Sequence, residues 1–197
     1  MKMISDLLIT ALFTVFIQNL VLSSGLGMSE AIRVSTKPGT FGRFALMISG
    51  FSVVTSVICS LINTVSGFAS LPFAGKAAVY AGVLAGVYLI VALVLKIIFR
   101  VSDKLLGTFG IAALNTLVFA VPFINESAAY SFADAVGSGI GAGIAFVLAA
   151  ALIGKGSQAL SRNESIPEAF RGTPSMLIYV GLLSLAFAGF ADSTLFA

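Results

Sequence analysis

The chain has 197 residues, 58% hydrophobic and only 10% charged, with a net charge of +3 and a mean hydropathy of +1.08. That composition leaves no room for a separate soluble domain, and the small charge excess, with no basic run interleaved with aromatics, excludes a nucleic-acid surface. A single cysteine, Cys59, and no histidine exclude an internal disulfide framework, a His-based triad and a self-contained zinc, haem or iron–sulfur site.

Apolar stretches near bilayer length fill the rest: residues 7–22, 45–62, 77–99, 105–124, 133–154 and 174–191. A membrane helix needs roughly 20 mostly apolar residues to cross about 30 Å of hydrocarbon. The fold class expected is all-α, a polytopic membrane protein of six transmembrane helices in one integral membrane domain.

The first stretch begins like a signal peptide, with Lys2 before it and Ser23-Ser24-Gly25 after it. Gln18 and Asn19 interrupt its apolar run and no A-x-A site follows, so it reads as helix one. It then meets Ser23-Ser24-Gly25-Leu26-Gly27 before a basic loop. The second stretch holds Cys59, read as a small buried apolar residue. The third ends near Lys96, which snorkels toward the interface. The fourth carries Gly107, Gly110, Asn115 and Pro122, so helices one and four are expected to be the broken ones.

Asp134 opens the fifth stretch, where a carboxylate favours a helix N-terminus, and Glu126 and Asp192 also fall near helix ends. None of these acids sits clearly at the midplane, so no proton-relay carboxylate stands out. Within the fifth stretch, Gly137/Gly141 and Gly139/Gly143 are two GxxxG pairs on adjacent faces. They read as helix packing, not as a nucleotide loop, because no strand precedes them.

With six spans, Arg33, Lys37, Arg43, Lys96, Arg100, Lys104, Lys155, Arg162 and Arg171 collect on one face, and only Lys2 and Lys76 on the other. The positive-inside rule places the basic face in the cytoplasm and both termini outside, and the membrane expected is the cell's inner (cytoplasmic) membrane. An odd number of spans per half orients the halves oppositely, as in inverted repeats, with repeat one at about 1–100 and repeat two at about 101–197. Asn19 and Asn115 fall in the first helix of each half. Two readings of this pair stand: interhelical hydrogen-bond glue, or paired interruptions marking a functional centre.

Three segments carry a family resemblance. They are Gln18-Asn19-Leu20-Val21-Leu22 with Gly25-Leu26-Gly27 and Val34-Ser35; Leu106-Gly107 with Asn115 and Asn125; and Pro167-Glu168-Ala169-Phe170-Arg171-Gly172 followed by 181–187 and Gly189-Phe190. The chain resembles the integral membrane subunits of Rnf and Nqr electron-transport complexes, most closely the RnfA/NqrE type. The resemblance implies electron transfer coupled to Na⁺ or H⁺ movement, other membrane subunits as partners, and a related six-helix subunit packed face to face. It also implies two cysteines per subunit, from broken helices one and four, holding a shared iron–sulfur cluster.

At those positions this sequence has Ser29 and Thr116, which cannot serve as ordinary cluster ligands. No cofactor is therefore expected on this chain alone, and no catalytic or metal-binding residue is assigned. The candidate residues are Asn19 and Asn115, ordering the breaks; Gly25, Gly27 and Gly110, permitting irregular backbone; and Ser29 and Thr116, hydrogen-bonding across the pseudo-two-fold axis as a polar lining for water or Na⁺. Any catalysis would reside in other subunits of a translocase. The alternatives are the substrate-binding subunit of a vitamin-type membrane transporter and a free-standing channel or structural membrane protein.

Overall fold

The computed structural model describes residues 2–65 and 67–191. Among them every regular element is helical. They are α1 (Lys2–Phe16), α2 (Leu20–Ser24), α3 (Met28–Ser35), α4 (Phe41–Asn63), α5 (Phe73–Ile97), α6 (Asp103–Ala113), α7 (Thr116–Ser127), α8 (Phe132–Ser161) and α9 (Thr173–Ala191), with short 3-10 turns at Pro38–Thr40 and Glu168–Phe170. Asp192 lies outside the described residues. Phe41–Asn63, Phe73–Ile97, Asp103–Ser127 and Phe132–Ser161 are each long and apolar enough to cross a membrane. α9 is a shorter apolar helix. α1 and α2 together cover Lys2–Ser24 with one interruption. Helices suit such a sequence because only internally paired backbone is tolerated in hydrocarbon.

The small residues of α8 organise the bundle. A side chain at Gly137 would strike the backbone of Leu7, and one at Gly141 would lie 2.7 Å from the Ala11 carbonyl. The register advances together, so α1 and α8 run parallel. A side chain at Gly139 would lie 2.8 Å from the Val53 backbone, and one at Gly143 would meet Ser49 and the Ala45 carbonyl. Here the register runs oppositely, so α4 and α8 are antiparallel. Each glycine pair thus receives its own helix, and close backbone approach replaces the hydrophobic drive that lipid cannot supply. Phe146, Ala149 and Ile153 continue the core against Phe44 and Ile48 of α4. α5 and α9 present Leu89, Ile90, Leu93, Leu177, Leu182 and Leu185 outward, as lipid-facing surface.

The N-terminus of α8 is closed by a capping box. Ser131 and Asp134 exchange side-chain and backbone bonds, and Thr10 donates to Asp134 at 2.7 Å. α8 outlasts its apolar stretch by a turn and more, ending at Ser161. Hydropathy marks where a helix leaves the hydrocarbon, not where it stops. Cys59 is buried, packed with Phe68 and Tyr80.

Candidate functional site at the helix breaks

Two interruptions face each other. The first follows α1, where the Ile17 and Gln18 N–H groups both reach the Phe13 carbonyl at 2.9 Å. Asn19 then leaves helical geometry with ψ of 92°. Its amide spans the gap. Nδ2 donates to the Val15 carbonyl at 2.9 Å, and Oδ1 accepts from the Leu22 N–H at 3.1 Å. Asn19 is the N-cap of α2, satisfying one of the orphan donors that any helix start exposes. A capped break of this kind keeps polar backbone paired without continuous helix.

α2 ends at Gly25, whose φ is +70°, and the Leu26 N–H closes back on the Leu20 carbonyl at 3.0 Å. Gly27 repeats the left-handed conformation at φ +74°. Such φ values favour residues without Cβ, so Gly-Leu-Gly turns the chain twice and starts α3.

The second interruption separates α6 from α7. Leu114 ends α6, and Asn115 at ψ 139° caps α7 through a 2.9 Å bond from the Leu117 N–H to Oδ1. The two asparagines thus do the same work in the two breaks. Gly107, Gly110 and Pro122, which suggested the interruption from sequence, all lie inside helices. Gly110 has no left-handed backbone; its missing side chain leaves room for the Tyr88 hydroxyl, 3.0 Å from where a Cβ would stand.

The breaks touch at Gly27. Its N–H donates to Thr116 Oγ1 at 2.9 Å, and a Cβ there would lie 2.8 Å from Asn115 Oδ1. Of the two lost-ligand positions, Thr116 meets the first break at the Gly27 N–H, whereas Ser29 stands in the first turn of α3. Ser29 lies on the exposed side of the first turn of α3, and Thr116 is likewise exposed. The sequence reading missed this Gly27–Thr116 bond. It also missed α3 itself, whose Ala31 and Val34 are buried and whose Arg33 pairs with Glu30 on the outer face.

A groove of about 870 Å³ runs beside the breaks, lined by Gln18, Ser23, Ser24 and Thr116 together with Phe73, Phe119 and Phe123. The side chains do not fit an iron–sulfur cluster. Positions 29 and 116 present alcohols, the thiol of Cys59 lies apart on α4, and no group of three metal-ligating side chains exists among the described residues. No step through a cluster is derived for this chain.

A second polar cluster closes one end of the α4–α5–α7 region. Lys76 pairs with Glu126, and the Tyr80 hydroxyl lies 2.8 Å from Asn63 Oδ1 and 2.9 Å from Glu126 Oε2. At the opposite end Lys96 pairs with Asp103.

Comparison with known proteins matches residues 7–193 to the family model described as Rnf-Nqr subunit, membrane protein. The chain is similar to the NqrE subunit of the Na⁺-translocating NADH-quinone reductase of Pseudoalteromonas translucida, 31% identical over 92% of this chain and 95% of the relative. It is similar to the RnfA subunit of the ion-translocating oxidoreductase complex of Syntrophotalea carbinolica, 30% identical over 94% and 96%. The corresponding RnfA subunit of the Na⁺-translocating ferredoxin:NAD⁺ oxidoreductase complex of Acetobacterium woodii is 27% identical over 92% and 94%.

Proposed function

The chain belongs to the Rnf-Nqr family of membrane subunits, and from that membership we propose that it serves as a non-catalytic membrane subunit of an ion-translocating electron-transport complex. This reading fits better than the vitamin-type transporter. The observation that carries it is the exposed side of the helix breaks. Ser24, Gly25, Leu114, Thr116 and Ser29 are all exposed there, between α1 and α3 and between α6 and α7. Lipid cannot satisfy irregular backbone and hydroxyls at that depth, so a protein surface covers them. A related six-helix subunit with its own broken helices has the matching chemistry.

Six crossings in two inverted halves are supported by the paired caps at Asn19 and Asn115. They are also supported by the parallel run of α1 with α8 and the antiparallel run of α4. In this reading the chain lies in the inner membrane with both termini outside. Arg33, Lys37, Arg43 and Lys104 from two different connections line one cavity, which supports a common basic end facing the cytoplasm. In this reading its part is to hold the partner at the breaks and to shape the ion route.

The test is purification of the tagged chain from its native membrane in mild detergent, with mass spectrometry and iron and flavin assays on the eluate. Co-purifying Rnf-Nqr-like subunits with redox cofactors is the expected result. A colourless chain without partners, or one bound to an ATPase, would overturn the reading.

A further inference from the structure

The buried side-chain polar atoms without a hydrogen-bond partner, among the described residues, fall on two elements. They are the hydroxyls of Ser52, Thr55 and Ser56 on α4, both amide atoms of Asn125 on α7, and Nδ2 of Asn115 at the cap of α7. α4 and α7 pack against each other. Residues 52, 55 and 56 stand at i, i+3 and i+4, so their hydroxyls share one helix face. All five side chains are more than nine-tenths buried.

Their orientation sets them apart. Several other helix hydroxyls bond back to their own backbone, among them Thr14 to the Thr10 carbonyl, Ser23 to Asn19, Ser35 to Ile32 and Thr108 to Lys104, while Thr10 and Ser49 reach across to α8. That back-bond is the default for Ser and Thr in an apolar helix. Ser52, Thr55 and Ser56 make no such bond. Pro122, on the same seam, has no N–H to offer the Val118 carbonyl, which leaves one more acceptor there.

A cavity of about 260 Å³ connects the seam to one end of the bundle, lined by Ser56, Asn125 and Pro122 and, at its mouth, by Asn63 and Glu126. Thr55 and Ser52 continue inward from Ser56 along the same face. Ser52 is the central residue of Phe41–Asn63, and Asn115 the central residue of Asp103–Ser127. The unpartnered groups therefore run from the Glu126 end to the depth of the helix break.

We infer that the α4–α7 seam is a hydrated path for a small monovalent cation, open at the Glu126 end and closing at Asn115. The inference rests on the ion-translocating reading above. The oxygens along the path are the neutral hydroxyls of Ser52, Thr55 and Ser56 and the amide oxygen of Asn125, which suit a cation that keeps part of its water, and the Asn115 Nδ2 amino group, a donor of hydrogen bonds, closes the inner end. The single carboxylate, Glu126, stands at the mouth and is already paired with Lys76. A divalent ion would find no charge inside to offset its desolvation. Among the described residues Lys76, the cation beside the mouth, is paired with Glu126 and so is not free for an anion.

The test is thiol accessibility of the full chain in its native membrane, in a Cys59→Ala background. Ser56→Cys, Thr55→Cys and Asn125→Cys are treated with Ag⁺, and Ile48→Cys, buried in the apolar core of the same helix, is the dry reference. The seam thiols should react at least tenfold faster than the reference. Na⁺, Li⁺ or K⁺ should slow them severalfold relative to choline at equal ionic strength. Rates equal to the Ile48→Cys rate would overturn the path. Fast rates indifferent to every small cation would overturn its cation role and leave bound water. If a thiol variant fails to accumulate, Thr55→Val serves instead. A hydrated path predicts at least a tenfold loss of cation flux through the assembled complex, and unchanged flux overturns it. Labelling is independent of partner capture, so a chain that labels as expected without co-purifying subunits refutes the complex and not the path.

Discussion

Gly27 donates its backbone N–H to the hydroxyl of Thr116 at 2.9 Å, joining the first broken helix to the second across 89 residues of sequence. The bond stitches one interruption to the other at the point where each lacks helical partners of its own. Asn115 sits directly behind it, its Oδ1 held by the Leu117 N–H. α3 is held by the packing of Ala31 and Val34 in the core against α8, and this bond adds a direct tie from its start to α7.

Gly27 and Gly25 separate two effects that are usually confounded. Both have left-handed φ, but a Cβ at Gly25 would meet nothing within 4 Å, whereas one at Gly27 would press on Asn115 Oδ1 at 2.8 Å. Gly25→Ala carries only the backbone term, roughly 1–2 kcal/mol. Gly27→Ala adds an overpacking term of roughly 1–3 kcal/mol. Thermal unfolding of the purified variants in detergent should therefore rank Gly27→Ala well below Gly25→Ala. Equal losses would mean that the Gly27 contact is not tight.

Thr116 acts on the same bond from the other side. Thr116→Val keeps the shape and leaves the buried Gly27 N–H without an acceptor, a loss of roughly 1–3 kcal/mol. Thr116→Ser keeps the oxygen and should recover most of it. Amide hydrogen exchange at Gly27 reads this directly: fast in the valine variant, protected in the serine variant. Protection in both would mean another acceptor holds Gly27.

The breaks were legible because Asn19 and Asn115 are polar residues in apolar runs, and a buried amide in a membrane has to find partners. Their positions among the nearby glycines and proline were not legible. Gly107, Gly110 and Pro122 look like helix breakers by propensity, yet they remain helical. In hydrocarbon an unpaired backbone group costs more than a glycine's lost entropy. α3 was read as a loop because Glu30 and Arg33 lower its hydropathy, although Ala31 and Val34 recur at helical spacing on its buried side. The α4 hydroxyls carried a signal too, since residues 52, 55 and 56 share one face by spacing alone. The residue that receives Gly27 could not be read, because local pattern says nothing about partners 89 residues apart.

The two capping asparagines differ in what else they hold. Asn19 ties Val15 to Leu22, using both ends of its amide, whereas Asn115 uses only Oδ1. Serine can replace the cap but not the second bond. Asn115→Ser should thus change stability by a few tenths of a kcal/mol, and Asn19→Ser should cost about 1 kcal/mol more. Unfolding in detergent measures the difference, and a larger loss at Asn115 would show that its Nδ2 has a partner.

The glycines of α8 divide their work by face, and this gives a test with a spatial readout. Gly141 faces Ala11 and Thr14 of α1, and Gly139 faces Val53 of α4. Replacing either by alanine puts a Cβ within 2.8 Å of a neighbour, so each variant should lose roughly 1–3 kcal/mol. The structural consequences should not be shared. Gly141→Ala pushes α1 away, so amide exchange should rise along Lys2–Phe16 while α4 stays protected. Gly139→Ala should loosen Phe41–Asn63 and leave α1 as it was. Exchange that rises equally in both helices, whichever glycine is changed, would mean that α8 does not pack its two partners through separate faces.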